Sequence, residues 1–142
     1  MIRVPEALIG AIRRAGEAAY PAECCGLVAG RVASDKEVVR VVPMANRRTD
    51  DPHRYLIDPE DWRRVERELK AEGLEILGYY HSHPDHPAVP SEFDAAHAWP
   101  WYSYIIVDVR AGRAGAPASW VLSDESRTFA RESLVVLNEV EA

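Results

Sequence analysis

The chain has almost no cysteine, no long apolar run and no concentration of basic charge, and each scarcity removes a class of protein. Its only cysteines, Cys24 and Cys25, are adjacent. Neighbours in sequence rarely meet disulfide geometry, so no disulfide framework is expected and the chain suits a reducing compartment. No second cysteine pair exists to complete a thiolate zinc site, and the two are read as small buried residues of a strand. The longest apolar runs, such as Leu134-Val135-Val136-Leu137 and Ile105-Ile106-Val107, fall far short of the roughly 20 residues that span a bilayer. Met1-Ile2-Arg3-Val4-Pro5 does not open a signal peptide, so a soluble, cytoplasmic protein without a membrane partner is expected. The 17 basic residues are scattered and outnumbered by 23 acidic ones, for a formal charge of −6. Phosphate binding needs a concentrated basic surface, which argues against nucleic acid as the partner. Internal repeats and low-complexity stretches are also missing.

What remains is 142 residues with 47% hydrophobic content, enough for a single domain over 1–142 with one buried core. Leu8, Ile12, Ala15 and Ala19 recur at helical spacing between Pro5 and about Tyr20. Cys24 to Ala29, closed by Gly30, and Val38 to Val42, stopped by Pro43, read as a strand pair. Asn46 to Pro52 is a polar surface loop leading into a short extended piece, Arg54-Tyr55-Leu56-Ile57. Asp58 caps a second helix with Pro59 behind it, Trp62, Val65 and Leu69 form its apolar stripe, and Gly73 stops it. Glu60/Arg64 and Glu66/Lys70 sit four apart on its outer face. Leu74 to His83 is a strand inside the sheet, Ser91 to about Ala98 a short helix, Tyr104 to Val109 a second buried strand, Ala111 to Gly115 a turn, and Ser119 to Leu122 another strand. The tail from Phe129 to Leu137 is ambiguous and is read as an edge strand followed by a short helical or frayed end. Helices alternating with mostly buried strands predict an α/β sandwich with a central mixed β-sheet and helices on its faces.

Chemistry concentrates in one stretch, His81-Ser82-His83-Pro84-Asp85-His86-Pro87-Ala88-Val89-Pro90-Ser91-Glu92-Phe93-Asp94. Side chains alternate along a strand, so His81 and His83 point the same way and both imidazoles can reach one ion. Pro84, Pro87 and Pro90 restrict the loop that returns Asp94 at the start of the next helix. Two histidines and a carboxylate with one open position form the usual ligand set of a catalytic zinc. Each piece alone has an ordinary explanation. A lone histidine is usually a polar residue of surface or core, and His53, His86 and His97 are read so; Ser91-x-x-Asp94 is also a good capping box. The joint pattern is far less frequent by accident than its parts.

His81-Ser82-His83-Pro84, six residues, Ser91, two residues, Asp94 resembles the signature of the JAMM/MPN-plus metalloproteases, the zinc-dependent, deubiquitinase-like peptidases. Glu23, in Pro21-Ala22-Glu23-Cys24-Cys25-Gly26-Leu27, is similar to the upstream glutamate of that family. Arg54-Tyr55-Leu56-Ile57-Asp58-Pro59 and the order of elements extend the likeness over most of the chain. The resemblance implies one zinc on His81, His83 and Asp94 with a water in the fourth position, Glu23 as general base and acid, and Ser91 as donor to the oxyanion. It also implies hydrolysis of the amide bond after the C-terminal Gly-Gly of a ubiquitin-like or sulfur-carrier protein. The leaving group would be a conjugated protein or an amino acid such as cysteine. For Glu23 the bare sequence favours an ordinary polar residue at the mouth of a strand, and spacing alone cannot bring residue 23 beside residue 83.

Relatives of this family that have lost ligands serve as scaffolds, so a non-catalytic binding module is the alternative; the intact Glu23, His81, His83 and Asp94 argue against it. The zinc nucleoside deaminases, whose fold resembles the expected one, need a His-x-Glu and a Pro-Cys-x-x-Cys, and neither is present. Amidohydrolases also use His-x-His, but their barrel needs about 200 residues or more.

Overall fold

The computed structural model describes residues 1–48, 51 and 54–138. Its elements in chain order are β1 (Ile2–Pro5), α1 (Glu6–Ala19), β2 (Cys25–Val32), β3 (Lys36–Met44), α2 (Pro59–Ala71), β4 (Glu75–Pro84), α3 (Glu92–His97), β5 (Ser103–Arg110), β6 (Arg113–Ala114), β7 (Ala118–Leu122), β8 (Phe129–Glu132) and β9 (Leu134–Leu137). They form one mixed sheet in the order β8-β7-β5-β4-β2-β3-β1-β9, with β6 added beside β5. The expected α/β architecture with a central mixed sheet is what the chain adopts.

Two apolar clusters divide the faces of this sheet. Ile9 and Ile12 of α1 pack with Ile2, Val4, Val28, Tyr80 and Val107 on one side. Val65 and Leu69 of α2 pack with Leu27, Ala29 and Ile76 on the other. Gly16 lets α1 approach closely: a Cβ there would lie 3.0 Å from Val109 and 3.3 Å from the Cβ of Ser82. On the second face Asp58 caps α2 by accepting the Glu60 N–H at 2.8 Å, Pro59 occupies the first helical position, and Gly73 turns the chain out with φ +74°. Arg64 pairs with Asp61 at 3.1 Å, three residues away, in place of the expected partner four away.

Three expectations need correction at the edges of the sheet. A short strand, β1, precedes the first helix. Pro43 does not stop β3, which runs on to Met44; of β3 only Lys36 and Glu37 pair with β1, so its later part is an edge where a proline is tolerated. The end of the tail is neither helical nor frayed through Leu137. Phe129–Glu132 is indeed an edge strand beside β7, but Leu134–Leu137 pairs in parallel with β1 at the opposite edge. Only Ser133 separates β8 from β9, and its carbonyl accepts the Ile2 N–H at 2.9 Å. The sheet must therefore curl until its two ends are one residue apart. Arg54 to Ile57, expected to be extended, carries no regular secondary structure. No helix of the described residues is long and apolar enough to cross a membrane.

Candidate metal centre

The histidines sit on β4, flanked by β2 and β5. Tyr80 belongs to the apolar cluster under α1, and Ser82 lies against Gly16 of that helix. Alternation then turns His81 and His83 to the opposite face, as the spacing predicts. Both are buried, 1% and 7% exposed. Their Nε2 atoms lie 3.0 Å apart, and Asp94 Oδ2 lies 3.3 Å from His81 Nε2 and 3.2 Å from His83 Nε2. Ligands held tetrahedrally at zinc bond lengths stand about 3.3 Å from one another. A nearly equilateral triangle of that edge length, made of two imidazoles and a carboxylate, fits a zinc ion in donor type and in size.

Asp94 reaches the triangle through a loop held at both ends. Asp85 adopts φ 56°, donates its N–H to Val109 O at 2.7 Å, and accepts from Ala111 N–H at 2.9 Å and from the Tyr20 hydroxyl at 2.6 Å. The Tyr20 hydrogen bond and the Ala111 N–H lower the pKa of Asp85. At the far end Ser91 accepts the Asp94 N–H at 3.0 Å while Asp94 Oδ2 accepts the Ser91 N–H at 2.8 Å. The predicted capping box is thus present, and it uses the same carboxylate oxygen that meets the histidines.

Hydrogen bonds set which nitrogen of His83 can ligate. His83 Nδ1 lies 2.8 Å from Pro87 O, which can only accept, so a proton belongs on Nδ1 and Nε2 is the nitrogen left to give up its own to a metal. Burial works to lower the pKa of His83, yet its hydrogen bonds to Asp94 and Pro87 O leave it raised. Burial lowers that of His81. Asp94 is held far below the usual carboxylate range, because its bonds to both histidines outweigh the opposing effect of burial. The triangle therefore presents an ionised carboxylate.

Glu23, just ahead of β2, is 5% exposed. The expected packing of its strand beside the histidine strand is observed, with Cys25 opposite His81. Three hydrogen bonds fix it: Cys24 N–H to Ser82 Oγ at 2.8 Å, Ser82 N–H to Cys24 O at 3.3 Å, and Asn46 Nδ2 to Glu23 O at 3.1 Å. Glu23 lines one cavity with His83, His86, Pro87, Val89, Pro90 and Ser91. Burial pushes its pKa up to about 8, with the Asp94 and Asp51 carboxylates adding to the rise and His83 opposing it. Cys25 is buried in β2 as expected, whereas Cys24 is half-buried and lies just ahead of the strand; both are free thiols.

The other histidines stand apart from the triangle. His97 stacks on Phe93 with centroids 4.1 Å apart, and His86 is an exposed residue on the rim of the Glu23 cavity. His53 lies outside the described residues. Two residues that spacing alone does not reveal complete the surroundings. Asn46 bonds to the backbone of Glu23, Arg54, Arg48 and Leu56. Tyr55 stacks on His81 and opens an aromatic trough with Leu56, Ile57, Tyr79, Phe93, Trp99 and Tyr104 on the Asp94 side. The sequence signal for Tyr55 is its place in Arg54-Tyr55-Leu56-Ile57-Asp58-Pro59, the stretch that extends the family likeness.

A family model described as "Prokaryotic homologs of the JAB domain" matches residues 5–123, and the chain belongs to that family. It is 36% identical over 87 residues to a desampylase of Haloferax volcanii, 61% of this chain and 62% of that protein, so it spans less than two thirds of that relative. It is 36% identical over 114 residues to a probable TtuB-protein conjugate cleaving protease of Thermus thermophilus, 80% of this chain and 74% of that one. The solution structure of a protein from Desulfitobacterium hafniense superposes with a TM-score of 0.85 at 28% identity, covering 99% of this chain and 96% of its own.

Proposed function

We propose that this chain is a zinc-dependent peptidase or isopeptidase that hydrolyses the amide bond after the C-terminal Gly-Gly of a ubiquitin-like or sulfur-carrier protein. The observation that carries the reading is the triangle of His81, His83 and Asp94, with edges of 3.0 to 3.3 Å, beside a cavity shared with a buried carboxylate. The names of the Haloferax and Thermus relatives support the substrate class. In this reading residues 1–142 form a single, cytoplasmic domain.

His81, His83 and Asp94 would hold zinc, which when bound supplies a Lewis acid that polarises a carbonyl and brings the pKa of water to about 7. Glu23 is the proton carrier: its carboxylate takes a proton from the attacking water as the C–O bond forms and gives it to the amine nitrogen as the C–N bond breaks. A carboxylate whose pKa burial has raised is better matched to that exchange than one at the ordinary value, and beside a bound dication Glu23 would return toward its charged form. Ser91 donates to the developing oxyanion. Capping and donation do not compete, because the cap uses a lone pair of Oγ and leaves its proton free. The carrier tail lies extended across the site, with the Glu23 cavity on one side and the aromatic trough on the other.

Metal content tests the reading against a non-catalytic scaffold. One zinc per chain, removable by chelator and restored on addition, is expected for the wild type; a chain that neither retains nor takes up zinc is the scaffold.

A further inference from the structure

The two histidines are oriented by different forces. His83 has a hydrogen-bond partner for its second nitrogen in Pro87 O. His81 has none: its Nδ1 is buried without a partner among the described residues. Its Nε2 edge is chosen by the contacts with Asp94 and His83, but the ring must also keep its plane, since tilting about the Cβ–Cγ bond would swing Nε2 out of the triangle. What lies against the ring is Tyr55, stacked with centroids 4.7 Å apart and planes 28° from parallel.

Tyr55 is itself held. Asn46 Nδ2 donates to the carbonyl of Arg54 at 3.1 Å and Asn46 Oδ1 accepts from the N–H of Leu56 at 3.0 Å, so the residues on both sides of Tyr55 are tied to one amide. The same Nδ2 donates to the carbonyl of Glu23. A segment without secondary structure of its own is thereby fixed against the entrance to β2. A stacked ring resists tilting of its neighbour, so Tyr55 holds the plane of the His81 ring where no hydrogen bond at Nδ1 does.

We infer that Tyr55 is a positioning residue for the metal, acting through the face of its ring on His81 in place of the missing hydrogen bond. The inference rests on the zinc reading above and adds to it which side chain presets the first ligand. Outer partners of metal-bound histidines typically change affinity by about 10- to 100-fold, and Tyr55 belongs in that range although it makes no polar contact with the ring.

The test measures zinc affinity by competition with a chromophoric chelator, and the visible spectrum of the cobalt-loaded protein, for wild type, Tyr55→Phe and Tyr55→Leu. Phe keeps the ring face and is expected to bind zinc within about 3-fold of wild type; Leu is expected to bind at least about 10-fold more weakly, with an altered cobalt spectrum. Tyr55→Met, flexible enough to fill the same space, replaces Leu if that variant does not fold. Wild-type affinity in the Leu or Met variant overturns the inference while leaving the zinc reading intact. A loss in Phe equal to that in Leu also overturns it, since the hydroxyl would then be the active part. A wild type that binds no zinc removes both readings.

Discussion

The backbone N–H of Cys24 donates to the side-chain oxygen of Ser82 at 2.8 Å, across 58 residues of sequence. Through this bond the residue after Glu23 is tied to the residue between the two histidines. Glu23 and the two histidines therefore share one local frame. Ser82 is fully buried, so removing its hydroxyl leaves the Cys24 N–H without an acceptor. Ser82→Ala should cost about 1–3 kcal/mol in urea unfolding and lower kcat more than it lowers zinc content. Equal loss of zinc and turnover would mean that Ser82 supports the ligands rather than the placement of Glu23.

Glu23→Gln separates metal binding from proton transfer. The variant should keep stoichiometric zinc and lose about 100-fold or more in kcat on a panel of carrier conjugates. Full activity with zinc retained would refute the role given to Glu23.

The same substitution has a signature in the metal-free protein. The folded-state pKa of Glu23, about 8, lies above its ordinary 4.5, so the native state holds this proton more tightly than the unfolded one. Its contribution to stability is full below pH 4.5 and is lost as pH rises through 8. Asp94 behaves oppositely: its lowered pKa contributes stability that is lost only as pH falls below the ordinary carboxylate range. In chelator, wild type should weaken between pH 5 and 8 relative to Glu23→Gln by on the order of 2 kcal/mol, measured by urea midpoints. Parallel profiles for the two proteins would contradict a buried, proton-holding Glu23.

Ser91 accepts the Asp94 N–H as a cap, and two substitutions test whether its hydroxyl proton also serves the oxyanion. Ser91→Ala loses both, and kcat should fall on the order of 100-fold, with a further stability cost of about 1 kcal/mol from the lost cap. Ser91→Thr keeps an oxygen for the cap and a proton for the oxyanion, and should retain most of both. A Thr variant that folds as stably as wild type but is as slow as Ala would leave the cap in place and remove the oxyanion role.

The ligand stretch was legible because its geometry is local: strand alternation sets two histidines on one face, and three prolines with a capping serine return the aspartate. Glu23 was accessible only through family resemblance, since the β2–β4 pairing that places it is a contact between distant segments. β1 and β9 escaped for the same reason. Each is four residues long and becomes a strand through its parallel pairing with the other, a partner from the opposite end of the chain. Tyr55 and Asn46 left little trace, because their effect depends on one ring face and one side-chain amide in a segment with no periodicity.

In the proposed reaction the triangle and Glu23 together hydrolyse an amide bond at the end of a carrier tail. Mass spectrometry of a β-grasp carrier conjugated through its C-terminal Gly-Gly tests this most directly. Zinc-loaded wild type should release carrier ending in an intact Gly-Gly carboxylate, chelator should abolish the release, and added zinc should restore it. Conjugates left intact by zinc-loaded protein, with a chelator-sensitive activity found on an unrelated substrate class, would contradict a carrier-processing role.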